Sequence, residues 1–537
     1  MGYFGLEWSW MDVLATLGIM FLLAFIWYAV LPMAYWKRRG IPSASTVPLF
    51  GSLTNAAFLR KALGEVMADI YQRAEGKKYV GFYKFCQPAI VLRDPELIRN
   101  ILIRDFSHFS GNDVHVDSPN DILSRRHLFV ISGERWKKLR MVLSPGFSSG
   151  KMKAIYPLIG DVCNSLRAYL SKHSDASGSA GYEVELKEIC ARYTTDVVAS
   201  VAFGLQCDAI NNPDTEFRKM GKKFMQPSAI NAILFLILFE LPWLNKLLQI
   251  PFVPVEVANF FRSIVANVVE RRENDGTHRR DYLQELIDLW KDGKLDVDRK
   301  EEDPKIKREA KILRENREEL DDLTAQALGF FADGFETSSM LLAFALFEMA
   351  HNNDIQEKLR TEIETKRKEH GGTLTYEALQ EMTYMDMILK ETLRKYPPGL
   401  FITRICTQRY YMPNPVGEGV EGGIWIEEGM PVVVPIYGLQ KDPQYYPNPE
   451  EFDPERFSPQ SKRDNTQLTY MPFGEGPRMC IGNRFAFLQA KLGMATVMTR
   501  FKVLPNKKST VPIVIDPNHF MMASKHGLWV YLKDLAE

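Results

Sequence analysis

The chain has 537 residues, 46% hydrophobic and 12% aromatic, and its 67 basic side chains balance 67 acidic ones. That balance excludes a nucleic-acid footprint at the level of the whole chain, while the hydrophobic content supports a large core. Six cysteines (Cys86, Cys163, Cys190, Cys207, Cys406 and Cys480) are scattered without a CxxC pair, which excludes a dense disulfide framework or a zinc ribbon and fits a reducing compartment.

Val13 to Trp36 carries no charged residue, long enough to cross a bilayer as a helix. Glu7 and Asp12 precede it and Lys37-Arg38-Arg39 follow. A secretory signal peptide has the opposite layout, with its positive charge first. The expectation is an uncleaved signal-anchor over 1–36, with the bulk of the protein on the cytoplasmic side. Trp27, Tyr28, Tyr35 and Trp36 suit the membrane interface. Pro42, Pro48 and Gly51 mark a basic, proline-bearing hinge over 37–52, and 53–537 reads as one catalytic domain.

Mixed short strands and helices are expected up to about Pro119. Gly133-Glu134-Arg135-Trp136-Lys137-Lys138-Leu139-Arg140 follows, placing Trp136 and Arg140 one helical turn apart on one face. An indole N–H and a guanidinium so spaced can hold a carboxylate. Arg135, Lys137 and Lys138 read either as a solvated face or as a docking surface for an acidic partner. Ile230 to Phe252 is strongly apolar but interrupted by Glu240, Pro242 and Lys246, too short to span a bilayer. Contact with the membrane surface is favoured over pure core. Lys291 to Asp322 is dominated by charges of both signs and reads as a solvated loop feeding a helix.

Leu323 to His351 is a long helical stretch with Phe331-Ala332-Asp333-Gly334-Phe335-Glu336-Thr337 at its middle. Gly and Thr are poor helix formers at such a position. The Thr337 hydroxyl can bond back to the carbonyl of Asp333 and bend the helix. Asp333 and Thr337 share a face, and a buried carboxylate there is costly unless paired. Glu391 and Arg394 stand at i,i+3, and Phe452-Asp453-Pro454-Glu455-Arg456-Phe457 supplies a second arginine.

The most specific segment is Phe473-Gly474-Glu475-Gly476-Pro477-Arg478-Met479-Cys480-Ile481-Gly482, followed by good helix formers from Arg484 through Lys491. Gly476 allows a tight turn and Gly482 a close approach of a flat cofactor. Phe473 can pack beside that cofactor, and Arg478 can pair with its carboxylate. A following helix N-terminus favours a thiolate at Cys480. This loop resembles the cysteine-ligand loop of cytochrome P-450 enzymes, with Cys480 as axial ligand to the iron of haem b. The Trp136–Arg140 helix with Leu143-Ser144-Pro145-Gly146-Phe147, and the Asp333–Thr337 helix, are similar to animal microsomal members that include insect detoxification enzymes.

The resemblance implies a mainly α fold with a small β-rich lobe (α+β), preceded by one transmembrane helix. It implies a membrane-anchored monooxygenase inserting one atom of O2 into an apolar small molecule. Electrons come from NADPH through NADPH-cytochrome P-450 reductase, with cytochrome b5 as a further donor. The protein sits in the endoplasmic reticulum membrane. Trp136, Arg140, Arg404 and Arg478 would hold the haem propionates, and Gln440 would stand near one of them. Thr337 would relay protons, fed by Glu336. Glu391, Arg394 and Arg456 would form a buried structural triad. Leu400, Phe401, Ile402, the loop around His115, and Phe520-Met521 would line the substrate pocket, with Arg135, Lys137, Lys138, Arg484 and Lys491 facing the reductase. Asp333 departs from the family, which mostly has Ala or Gly there. It belongs either to the proton relay or to a contact with a polar or basic substrate group. A haem-thiolate isomerase or dehydratase of lipid peroxides, and a non-catalytic haem-binding sensor, are the alternatives.

Overall fold

The computed structural model describes residues 10–114, 116, 118–119, 121–177, 181–225, 227–295, 320–416, 422–461 and 468–535. His115 and most of the charged run before the long helix lie outside them. A central helix, Asp321–His351, organises the molecule. It packs on the helices Leu186–Val198, Thr383–Lys395 and Asn483–Arg500, all inside one large apolar cluster. Its composition alone would let it cross a membrane, but 78% of its most apolar stretch is buried in the protein. Only 6% is buried for the other such single helical stretch among the described residues, Trp10–Arg38, which fits an anchor.

That stretch is an α-helix over Trp10–Phe25 that loosens through a π turn at Ile26–Val30 and a 3-10 turn at Leu31–Ala34. Pro32 lacks the N–H that a regular helix needs there. Trp36 corrects one expectation. It is fully buried rather than interfacial, and its indole N–H donates to the Phe82 carbonyl at 3.0 Å. A Cβ on Gly81 would come within 2.5 Å of the Trp36 ring, so this glycine makes room for the indole. The hinge runs against the same strand, with Ser43 bridging to Gly81 and Gly51 to Lys84.

The described strands are β1 (Tyr79–Lys84), β2 (Gln87–Leu92), β3 (Tyr182–Glu185), β4 (Ile402–Ile405), β5 (Tyr410–Pro413), β6 (Gly423–Ile426), β7 (Pro431–Val434), β8 (Phe501–Pro505) and β9 (Trp529–Asp534). They form one sheet in the order β1-β2-β7-β4, a second in the order β3-β9-β8, and the pair β5-β6. In the first sheet β2 and β7 run parallel and the other pairs antiparallel. Every residue of β7 is buried, which suits its unbroken valines. The fold is thus mainly helical with a small β-rich lobe.

Behind the cysteine loop, Glu391 and Arg394 are completely buried and form a two-pronged pair at 2.7 and 2.8 Å. Arg394 also donates to the carbonyls of Gln440, Pro449 and Glu451. Arg456 approaches Glu391 at 3.5 Å and donates to the Asn448 carbonyl. Gln440 is corrected here: it is fully buried in this network, donating to the Leu393 and Arg394 carbonyls and accepting from Met471 N–H. Arg394→Met strands the Glu391 carboxylate and several carbonyls, and it should cost about 3–5 kcal/mol in urea unfolding of the full chain. A loss below about 1 kcal/mol would show that the network is dispensable.

Candidate active site

The cysteine loop is shaped by backbone. Gly474 and Gly476 take left-handed φ of 70° and 74°, and a Cβ at Gly476 would lie 2.0 Å from the Leu102 carbonyl oxygen. Met479 N–H then donates to the Gly476 carbonyl and Cys480 N–H to the Phe473 carbonyl at 2.8 Å. Gly482 precedes the helix Asn483–Arg500, and a Cβ there would have no protein atom nearer than 3.9 Å. Cys480 is open to the site, yet enclosure by the protein and the Asp333 carboxylate together push its thiol up to about 11 against the pull of Gly482 N–H and Arg140. The Gly482 N–H at the helix start pulls toward the thiolate, as expected, but does not offset burial. Coordination to a metal deprotonates a cysteine outright.

Beside this loop stand three guanidinium groups. Arg478 donates to the Ser110 and Ile131 carbonyls and lies 4.4 Å over the Trp136 ring. Arg404, on β4, donates to Asn112 and to the Thr403 carbonyl, while its Nε has no partner. Burial brings Arg404 down to about 10. Burial and the positive charges of Arg404 and Arg140 bring Arg478 down to about 9. Among the described residues none of the three pairs with a carboxylate. One buried and two partly buried cations that repel one another without a counter-charge favour an anion among them, and the two propionates of haem b would meet that demand. The residues present fit the cofactor. Phe473, half-buried, packs 5.7 Å from Phe487 at the same loop.

On the opposite side, Thr337 Oγ1 donates to the Asp333 carbonyl at 2.5 Å, the back-bond expected from sequence. Gln489 from the cysteine-loop helix donates to the Gly334 carbonyl and to Ser338. Asp333 and Thr337 line a cavity of about 350 Å³ with mainly apolar walls, including Phe235, Leu328, Phe401 and Phe520. Leu400, Ile402, Met521 and Arg404 border the same space. The Asp333 side chain is 67% accessible from the cavity and lies 3.8 Å from His127 Nε2. Although open to the cavity, Asp333 is enclosed by protein, which raises its carboxyl against the pull of His127, and burial lowers His127. Gly329 admits this histidine, since a Cβ there would meet Nε2 at 1.8 Å.

Glu336 is not brought into that cavity. Its carboxylate turns to Lys187 at 2.8 Å and His519 at 3.6 Å. Burial opposes its charge, but Lys187 and His519 outweigh this and hold it down to about 2. His519 borders both the cavity and the pocket around Glu336. Lys491 is a second correction. It is buried, donates to the Leu379 carbonyl and pairs with Asp386 at 2.8 Å, so it cannot face a partner. Arg135, Lys137, Lys138 and Arg484 are exposed. His127 and His519 lie close to segments read from the sequence, but no local spacing marks them or Lys187 as partners of Asp333 and Glu336.

The cytochrome P450 family model matches residues 41–530. The chain is 36% identical over 518 residues to "Cytochrome P450 6k1" of Blattella germanica, covering 96% of each chain. It is 37% identical over 511 residues to "Cytochrome P450 9e2" of the same species, covering 93% of this chain and 94% of the relative. "Probable cytochrome P450 6g2" of Drosophila melanogaster is 35% identical over 526 residues, covering 97% of each. This chain belongs to the cytochrome P450 family. Membership makes it an oxidoreductase, a haem-thiolate monooxygenase.

Because Glu336 titrates below an ordinary carboxyl, its pairing stabilises this P450 above the unfolded value of about 4.5 and is lost as pH falls toward about 2. Lys187→Met should remove much of that stability and flatten the loss across this window in acid unfolding. An unchanged acid transition would mean that the pair carries no folding energy.

Proposed function

We propose that this P450 is an anchored monooxygenase that oxidises an apolar small molecule with NADPH electrons delivered by NADPH-cytochrome P450 reductase. It sits at the endoplasmic reticulum membrane with its catalytic domain cytoplasmic. The reading rests above all on one observation: Arg404, Asp333 and Thr337 border a mainly apolar cavity, with Arg478 close to Arg404, and Cys480 close to Asp333 and Arg140. Trp10–Arg38 supports the anchor, with exposed Ile230, Trp243 and Leu247 supplying further membrane contact.

In this reading Cys480 ligates the haem iron and Arg140, Arg404, Arg478 and Trp136 hold its propionates. Gly476 and Gly482 shape the loop around it and Phe473 packs beside it. When bound, haem supplies oxygen activation, favoured by the electron push of its thiolate ligand. Thr337 holds a proton at Oγ1 over the cavity. Glu336, kept as a carboxylate by Lys187, holds no proton of its own; it is linked to the cavity through His519, whose imidazole it helps to orient. Asp333 and His127 place the polar pair nearest to Thr337, able to take part in proton delivery. Apolar walls exclude water and orient a molecule with few polar groups. Exposed Arg135, Lys137, Lys138 and Arg484 form the basic face for the reductase or cytochrome b5, and turnover should weaken as salt rises.

The test is NADPH and oxygen consumption by the reconstituted haem protein with reductase, in the presence of apolar candidates. Consumption should depend on substrate. Thr337→Ala should lower product formed per NADPH by about tenfold or more. Rearrangement of a lipid hydroperoxide without NADPH would instead support the isomerase, and haem binding without any turnover would support the sensor.

A further inference from the structure

The loop that carries Phe520 and Met521 into the catalytic cavity is closed at its base by a bridge between Ile515 and Ser524. Inside it, Asp516 Oδ1 accepts from Asn518 N–H at 2.9 Å, and His519 N–H donates to the Asp516 carbonyl at 3.3 Å. Met522 N–H donates to the Pro398 carbonyl at 3.0 Å, which ties one side of the loop to the segment before Leu400. The His519 side chain supplies the other tie. It is 4% exposed and its Nδ1 accepts from Met521 N–H at 3.1 Å. Its Nε2 lies 3.6 Å from Glu336 Oε1 and has no hydrogen-bond partner among the described residues.

A neutral imidazole that accepts at Nδ1 carries its proton on Nε2, the nitrogen nearer Glu336. Glu336 is held in turn by Lys187 at 2.8 Å. Neither Glu336 nor Lys187 borders the catalytic cavity; both border the smaller pocket behind it. A chain of buried polar contacts thus runs from Lys187 through Glu336 and His519 to the Met521 backbone. Two contacts on opposite sides of one rigid ring fix both of its torsions. The same ring lies 5° from parallel to that of Phe520, with centres 5.7 Å apart, and Phe520 packs on Phe235 at 4.5 Å. Turning the imidazole away from Glu336 therefore also breaks the Met521 bond and removes a face of Phe520.

We propose that His519 is a positioning residue for the substrate pocket. Glu336 orients its imidazole from behind the cavity wall, and the imidazole fixes the loop that sets Phe520 and Met521 against the substrate. The acid beside Thr337 thereby influences which molecules fit, without touching them. The proposal rests on the haem-loaded, apolar-substrate reading above.

The experiment uses the full chain, loaded with haem, in phosphatidylcholine nanodiscs. The probes are N-octylimidazole and N-(biphenylmethyl)imidazole, whose free ring nitrogen binds the iron while the arm reaches into the cavity. The shift of the Soret band gives each Kd without turnover. A rigid arm needs walls held in place, whereas a flexible one can follow them. His519→Phe keeps a ring beside Phe520 but loses both polar contacts. Lys187→Met leaves the loop untouched but strips Glu336 of its cation, so that the carboxylate takes up a proton or turns away. Each variant should raise the Kd of the rigid probe relative to the flexible one by about fivefold or more, and each should lose most of that effect in a Phe520→Ala background. Lys187→Met alone carries the test if His519→Phe loads no haem. An unchanged ratio in Lys187→Met would overturn the chain from Glu336, and so would an effect that persists in full without Phe520. A wild type that gives no Soret shift with either probe would overturn the haem-site reading and the proposal with it.

Discussion

Three guanidinium groups cannot sit together inside a protein without an anion, and much of this structure is arranged around that constraint. Arg478 is fixed by two backbone carbonyls and an indole face, and Arg404 by an asparagine and its own strand. None of these contacts neutralises charge. Burial and the nearby charges of Arg404 and Arg140 both disfavour the Arg478 cation, and a bound dianion would relieve the repulsion. The cysteine loop lies beside this cluster, the Trp136 helix contributes to it, and β4 feeds it from the β-rich lobe. The network of Glu391, Arg394 and Gln440 braces the same region from behind, on completely buried and mutually satisfied groups.

The central helix faces two ways, toward the cavity and toward a separate buried ion cluster. One face turns Thr337 and Asp333 to the cavity, while the other turns Glu336 toward Lys187 and His519. The acid and the alcohol are neighbours in sequence and separated in space. His519 closes that gap because it borders both compartments. Its Nδ1 accepts from Met521 N–H, so its proton resides on Nε2, the nitrogen nearer Glu336.

Motifs read well from the sequence wherever function was encoded by close spacing. The turn at Gly476, the Thr337 back-bond, the Glu391–Arg394 pair and the uncharged anchor are all local patterns, and each has the geometry expected of it. Tertiary burial was not legible. Trp36 looks interfacial by composition, yet Gly81, 45 residues later, opens a slot for it. Lys491 follows Arg484 by seven residues but falls on the inward face of their helix, where Asp386 and a carbonyl accept it. Gln440 is likewise claimed by backbone groups of a distant helix. The partners of Asp333 and Glu336 (His127, Lys187 and His519) are set by packing between remote segments, which no single motif records.

The central claim is that Cys480 is the thiolate ligand of a haem held by the arginine cluster. The most direct test is the carbon monoxide difference spectrum of the dithionite-reduced protein beside Cys480→Ser. A strongly red-shifted Soret band that disappears in the variant is the predicted result. A band typical of histidine-ligated haem in the native protein, or one that survives loss of Cys480, would contradict it.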